Sequence, residues 1–188
     1  GSLCKGYLND KWKIILEPVD YTYSNFLPLS DIHQMLVSVM MPEAVPDSMR
    51  FKLWPVDYRF LWRGLSAYPR EGEWTNYKGK RLYYDTFKKY LFYGRKNISP
   101  ARPLRIFNIV GWWAGYLSDV AYFVDFDNKV EFFLSAVIYT NRNGLHDYKF
   151  EYNTEGFPFL ANLGKLIYQY ELKRPKEHLP DLEKYRMH

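Results

Sequence analysis

Three runs decide the fold: LRIFNIV at 104–110, GYLSDVAYFVDF at 115–126 and VEFFLSAVIYT at 130–140. All three are rich in β-branched and aromatic residues, so each reads as a strand. Gly111–Ala114 is expected to join the first pair and Asp127-Asn128 the second. Connections this short favour antiparallel neighbours, hence a three-strand meander over about 104–140. Side chains alternate along a strand, which puts Glu131, Phe133, Ser135, Val137 and Tyr139 on one face of the third run. Phe132, Leu134, Ala136, Ile138 and Thr140 take the other. Both faces are apolar in the middle, which predicts cover on both sides.

Working outward, the chain before the meander reads as helical. Residues 1–28 are irregular apart from a short strand over Trp12–Leu16. Ser30 is expected to cap a helix whose Ile32, Met35, Leu36, Val39 and Met40 share a face. Pro42 and Pro46 stop it. Pro55 suits the first turn of a second helix, with Tyr58, Leu61, Trp62 and Leu65 as its apolar stripe. Pro69, Gly72 and Gly79 make 67–80 a loop, and Leu82–Phe92 reads as a shorter helix or extended segment. Beyond the meander, Asn141–Gly144 is a turn. A last helix is expected from Asn153 or Thr154 to about Lys173, with Phe159, Leu163, Leu166, Ile167 and Tyr170 against the sheet. Pro175 and Pro180 end regular structure, and the tail at 175–188 is expected to be loose. The order predicts an α+β layer fold: an antiparallel sheet packed by N-terminal helices and a long C-terminal helix, filling one domain or part of one over 1–188.

Composition narrows the function classes. Of the 188 residues 47% are hydrophobic and 25% charged, which excludes general disorder. Aromatics reach 20%, too many for a core of this size, so rings are expected at the surface, as a Tyr-rich sheet or a surface for sugars or a partner. The net charge of +5 is dispersed, with small clusters at Lys78, Lys80, Arg81 and at Lys173, Arg174, Lys176. No basic stripe points to nucleic acid. A lone Cys4 forms neither an internal disulfide nor a Cys-based zinc site. His33, His146, His178 and His188 lack metal-ligand spacing, so no metal is expected, and the absence of a phosphate-cradling glycine loop gives no cofactor either. His33 reads as a solvated residue on the polar side of its helix, and His146 as part of an exposed loop. No run is long and apolar enough to span a bilayer, and the start at Gly1-Ser2 shows no signal-peptide pattern.

A resemblance enters at this point. RIFNIVG (105–111), GYLSDVAYFVD (115–125), VEFFLSAVIY (130–139), YNTEGFPFL (152–160), Leu163-Gly164 and YELKR (170–174) resemble the last third of the class A β-lactamase type of penicillin-recognising serine hydrolase. More closely, they look like relatives of that family found as large exported bacterial proteins. The helix from Pro28 to Met41 and the Pro42-Glu43 after it fit as well, so the resemblance runs from about 26 to 174. It implies a β-lactamase/transpeptidase-like fold, acyl transfer on a peptide, amide or ester, and a place in the periplasm or cell envelope.

That family's chemistry comes from three motifs. The only Ser-x-x-Lys is Ser2-Leu3-Cys4-Lys5, which has nothing before it to build the dry pocket a serine nucleophile needs. Tyr23-Ser24-Asn25 matches the proton-shuttling loop in its letters, making Tyr23, Ser24 and Asn25 the catalytic candidates; as residues they also read as a polar turn before Pro28. Glu17-Pro18 resembles the deacylating glutamate loop. Lys-Thr-Gly falls at Ile109-Val110-Gly111, where Ile109 brings no charge to a substrate carboxylate. Ile109, Val110, Gly111, Trp112 and Trp113 are the substrate-binding candidates, with the Trp112 N–H as oxyanion donor; the plain reading is a hairpin whose indoles cover apolar surface. Two functions follow. One is an inert segment of a serine hydrolase, its nucleophile upstream of residue 1 or on another chain. The other is a non-catalytic module binding through the aromatic surface around Trp112 and Trp113. Expected partners are a second copy or the missing N-terminal part, and a peptide or cell-wall-derived ligand.

Overall fold

The computed structural model describes residues 4–72 and 83–186. Ser2, positions 73–82 of the predicted loop and third segment, and His188 lie outside the described residues. The chain runs β1 (Gly6–Leu8), β2 (Ile14–Ile15), α1 (Leu29–Met40), α2 (Pro55–Ser66), a single turn α3 (Tyr90–Tyr93), β3 (Leu104–Trp113), β4 (Tyr116–Asp125), β5 (Val130–Tyr139), β6 (Leu145–His146) and α4 (Phe157–Lys173). The architecture is α+β.

The meander forms an antiparallel sheet in the order β3-β4-β5. Its first connection is shorter than expected: Gly111, Trp112 and Trp113 belong to β3, and only Ala114-Gly115 turn. Both have positive φ, 49° and 91°, the geometry of a tight hairpin whose twist matches its strands. The small sheet, order β2-β1-β6, is mixed, because β1 pairs antiparallel with β2 and parallel with β6. Neither β1 nor β6 is visible in the sequence, being too short to show alternation.

The meander is covered on both faces, as the apolar alternation predicts. Leu104, Ile106, Leu117, Ala121 and Phe123 pack under Leu91, Phe157 and Leu160. Phe107, Val120, Tyr122 and Val124 pack on the other side under Leu36, Met40, Trp62 and Tyr185. Each large side chain fully buried here contributes about 1.5–3 kcal/mol over an exposed one.

Several local expectations change. Pro28, not Ser30, stands at the N-cap of α1, and the Ser30 hydroxyl bonds Asp31 instead. α2 does begin at Pro55, with the Asp57 carboxylate accepting the Trp54 N–H at 2.8 Å. Of the described part of the predicted third segment, residues 83–92, only the turn from Tyr90 is helical, and Phe92 takes φ 94°. The predicted stripe of α4 is rotated: Phe159, Leu166 and Tyr170 are exposed, while Phe157, Leu160, Ala161 and Gly164 are buried. A π-helical turn over Tyr152–Gly156 shifts the phase of the helix before it reaches the sheet. The tail is not loose either. Leu182 and Tyr185 are buried, and the Tyr185 hydroxyl donates to the Met40 carbonyl at 2.6 Å.

The turn after β4 is built on Asp125. Its carboxylate accepts the N–H groups of Asp127 (3.0 Å) and Asn128 (2.9 Å), the Asn128 amide (2.8 Å) and the Tyr168 hydroxyl. Burial pulls the Asp125 pKa up, but the bonds from Asn128, Tyr168 and Asp127 outweigh it and leave the carboxyl below its ordinary value. In the unfolded chain this group titrates near about 4. Its stabilisation is therefore complete above that pH and is lost as pH falls through the lower folded value. Asp125→Asn is expected to lower the melting temperature at neutral pH and to flatten its fall in acid. Melting curves from about pH 7 to about pH 2 check this; a parallel acid limb in the variant would count against it.

Candidate functional site

β3 is an edge strand, and its register sets which backbone groups face outward. The Phe126 N–H donates to the Pro103 carbonyl at 3.0 Å and the Thr140 N–H to that of Gly115 at 2.7 Å. With the paired register, odd-numbered β3 residues turn their backbone to β4, and Leu104, Ile106, Asn108, Val110 and Trp112 turn theirs to the open edge. The first half of that edge is occupied: the Tyr68 hydroxyl donates to the Leu104 carbonyl (3.3 Å) and the Lys89 ammonium to that of Ile106 (2.8 Å). Among the described residues nothing bonds the outward backbone of Val110 or Trp112. A groove of about 590 Å³ runs beside it, lined by Tyr68, Phe87, Lys88, Lys89, Asn108 and Val110.

Lys89 is the buried cation of this edge. It donates to the carbonyls of Leu65 (2.8 Å) and Ile106 (2.8 Å) and to Asn108 Oδ1 (2.7 Å). Asn108 passes the contact on, its amide donating to Asp119 Oδ1 at 2.8 Å, while Asp119 Oδ2 accepts the Leu91 N–H at 2.8 Å. Burial pushes Lys89 down to about 7 and Asp119 up to about 7. Three acceptors around the amine need three N–H donors, which only the ammonium supplies, so the geometry holds the ionic form. With every donor engaged, Lys89 positions the edge strand and is no base for a nucleophile. Sequence reading missed this network. The available signal was Asp119, the one charge inside YLSDVAYFV and on the same strand face as Leu117, Ala121 and Phe123.

The predicted substrate-binding residues divide between two places. Val110 lines the groove, whereas Trp112 and Trp113 line a separate aromatic cleft of about 430 Å³ at the hairpin end, with Tyr21, His146, Phe150 and Tyr152. Ile109 is 42% exposed on the opposite face from Val110, and no charge replaces the lysine expected by the resemblance. Gly111 has a structural reason for lacking a side chain: a Cβ there would lie 2.5 Å from the Ser118 hydroxyl across the pair. Tyr23, Ser24 and Asn25 form an exposed turn, with Tyr23 98% exposed. Among the described residues their side chains make no hydrogen bond.

The two histidines with structural roles were misread. His146 lies in β6 and shares a 2.7 Å bond with the Tyr21 hydroxyl; burial lowers its pKa, keeping the ring neutral near pH 7. His33 Nδ1 is 2.6 Å from the Ser135 hydroxyl, and its ring leans on Phe133. That hydroxyl–imidazole pair lines neither the groove nor the cleft. Among the described residues no group of three His, Cys, Asp or Glu side chains is placed to hold a metal ion, and no helix is long and apolar enough to cross a membrane.

No protein-family model, curated protein or solved structure matches the chain. The chemistry of the site therefore rests on its own geometry: a strand edge whose second half has outward N–H and C=O groups without partners among the described residues, a buried cation bracing its first half, and an aromatic cleft at its end.

Proposed function

We propose that this chain is the sheet half of a β-lactamase-like serine hydrolase scaffold, which holds an extended peptide or amide ligand along the open edge of β3 without acylating it. The observation that carries this reading is the outward backbone of Val110 and Trp112, free among the described residues and flanked by a groove. A ligand strand can pair with such an edge through main-chain hydrogen bonds. The Trp112 N–H then meets the ligand carbonyl, the role of an oxyanion donor. Acylation is left out because Tyr23, Ser24 and Asn25 lie in an exposed turn and Lys89 has no donor to spare.

Two measurements test it. Incubation with a fluorescent penicillin or a fluorophosphonate is expected to leave no covalent label, and a labelled serine would overturn the inert reading. Titration with a short acylated peptide amide, which carries no terminal carboxylate, is expected to shift the backbone amide signals of Asn108, Val110 and Trp112. Val110→Pro removes one outward N–H, a change tolerated on sheet edges. It is expected to weaken the peptide by up to about tenfold. Unmoved signals at these three residues would defeat the edge-binding reading.

A second reading is favoured by the aromatic cleft. Trp113 packs edge-on to Tyr21 at 5.8 Å, and among the described residues no charged side chain lines the space. Such a cleft suits a neutral, planar ligand or sugar ring. Tryptophan fluorescence quenched by a neutral saccharide, and unchanged by the peptide, would favour it over edge pairing.

A further inference from the structure

A third cavity, of about 570 Å³, lies between the turn that follows α3 and the start of α4. Its floor is Phe157 and Ala161, against which the turn packs with no room to spare. Gly94 has φ +60°, and a Cβ there would lie 3.0 Å from the Phe157 carbonyl oxygen. The turn is braced further by the Gly94 N–H donating to the Tyr90 carbonyl (2.8 Å) and the Thr86 hydroxyl to that of Lys96 (2.5 Å). Arg95, Lys96 and Lys165 line the walls together with Tyr84, Asn153 and Asn162, and among the described residues no carboxylate lines the cavity.

Three cations around one concavity repel one another, and proteins ordinarily disperse such charges or pair them with Asp or Glu. Among the described residues none of the three takes part in an ion pair. Arg95 is nevertheless held in place: its guanidinium sits 5.0 Å over the Trp112 ring and 5.9 Å from that of Phe157. A guanidinium fixed by rings instead of a carboxylate keeps its remaining donors for a ligand. The two asparagine amides add neutral donors suited to oxygen acceptors.

We propose that this cavity binds a small dianion of the phosphate or sulfate type, with Arg95 as the fixed fork, Lys96 and Lys165 closing on the charge, and Asn153 and Asn162 completing the oxygen contacts. The inference does not rest on ligand pairing at the β3 edge: Arg95 packs on the Trp112 ring, but none of these six residues, counting Tyr84, lines the groove beside Val110.

Titration of the whole chain with inorganic phosphate at low ionic strength, followed by backbone and asparagine side-chain amide signals, tests it. Saturable shifts confined to Gly94–Lys96, Asn153, Asn162 and Lys165 are expected, and sulfate is expected to compete for them. Chloride at matched ionic strength should produce none, which separates binding from screening. Lys96→Ala and Lys165→Ala alter side chains that make no hydrogen bond among the described residues, so the fold should persist. Each should weaken phosphate about tenfold, the loss of one charge-assisted contact. Absence of saturable shifts, or shifts unchanged in the double variant, would overturn the assignment.

Discussion

Asp119→Ala is expected to destabilise the protein by about 3–5 kcal/mol, the cost of leaving a buried charge without its counter-charge. Asp119 is fully buried, and removing it strands the Leu91 N–H, takes one of two acceptors from the Asn108 amide, and leaves the Lys89 ammonium hydrogen-bonded but without its buried counter-charge. Because Lys89 also fixes the Leu65 and Ile106 carbonyls, the loss should loosen α2 and the edge of β3 together. Urea denaturation gives the magnitude. A double variant, Lys89→Met with Asp119→Leu, should cost less than the two single changes added, since apolar groups of similar volume can replace a buried pair. Additive losses would mean that Asn108 does not couple them.

The second large effect runs against helix propensity. Gly164 lies inside α4, where alanine is ordinarily better by about 0.8–1.0 kcal/mol. A Cβ at Gly164 would nonetheless come within 2.6 Å of the Phe92 nitrogen and 3.0 Å of the Leu91 carbonyl carbon. Both are backbone atoms of a turn pinned by the Asp119 carboxylate, so they cannot yield as a side-chain end would. Gly164→Ala is therefore expected to destabilise by about 1–3 kcal/mol, and Gly164→Val by more. Gly64 in α2 is the control, with nothing within 4 Å of its missing Cβ. Gly64→Ala should stabilise by up to about 1 kcal/mol. Chemical denaturation of the two alanine variants should give opposite signs, and a stabilised Gly164→Ala would show that α3 and α4 are less tightly joined than the geometry says.

The candidate site was only partly legible. Ile109–Trp113 read as one binding strip, but alternation along β3 turns Ile109 away from Val110, and Val110 lines the groove while both indoles line the separate cleft at the hairpin end. Lys89 stands in FKK, where nothing local marks an ammonium whose three acceptors come from α2 and β3. The adjacent Arg95 and Lys96 are far in sequence from Lys165, so their shared cavity had no local signature.

By itself the sequence determined the meander, the start of α2 at Pro55 and the α+β order, because strand alternation and proline geometry act within a few residues. Tertiary structure alone decided which face of α4 is buried, that the tail docks through Tyr185, and which backbone groups of β3 face away from β4. Each of those depends on a partner far along the chain: the π turn against Leu117 and Thr140, the Met40 carbonyl, and the register with β4. Packing against distant groups leaves no periodic trace in a local window, which is why those features appear only when the chain is folded.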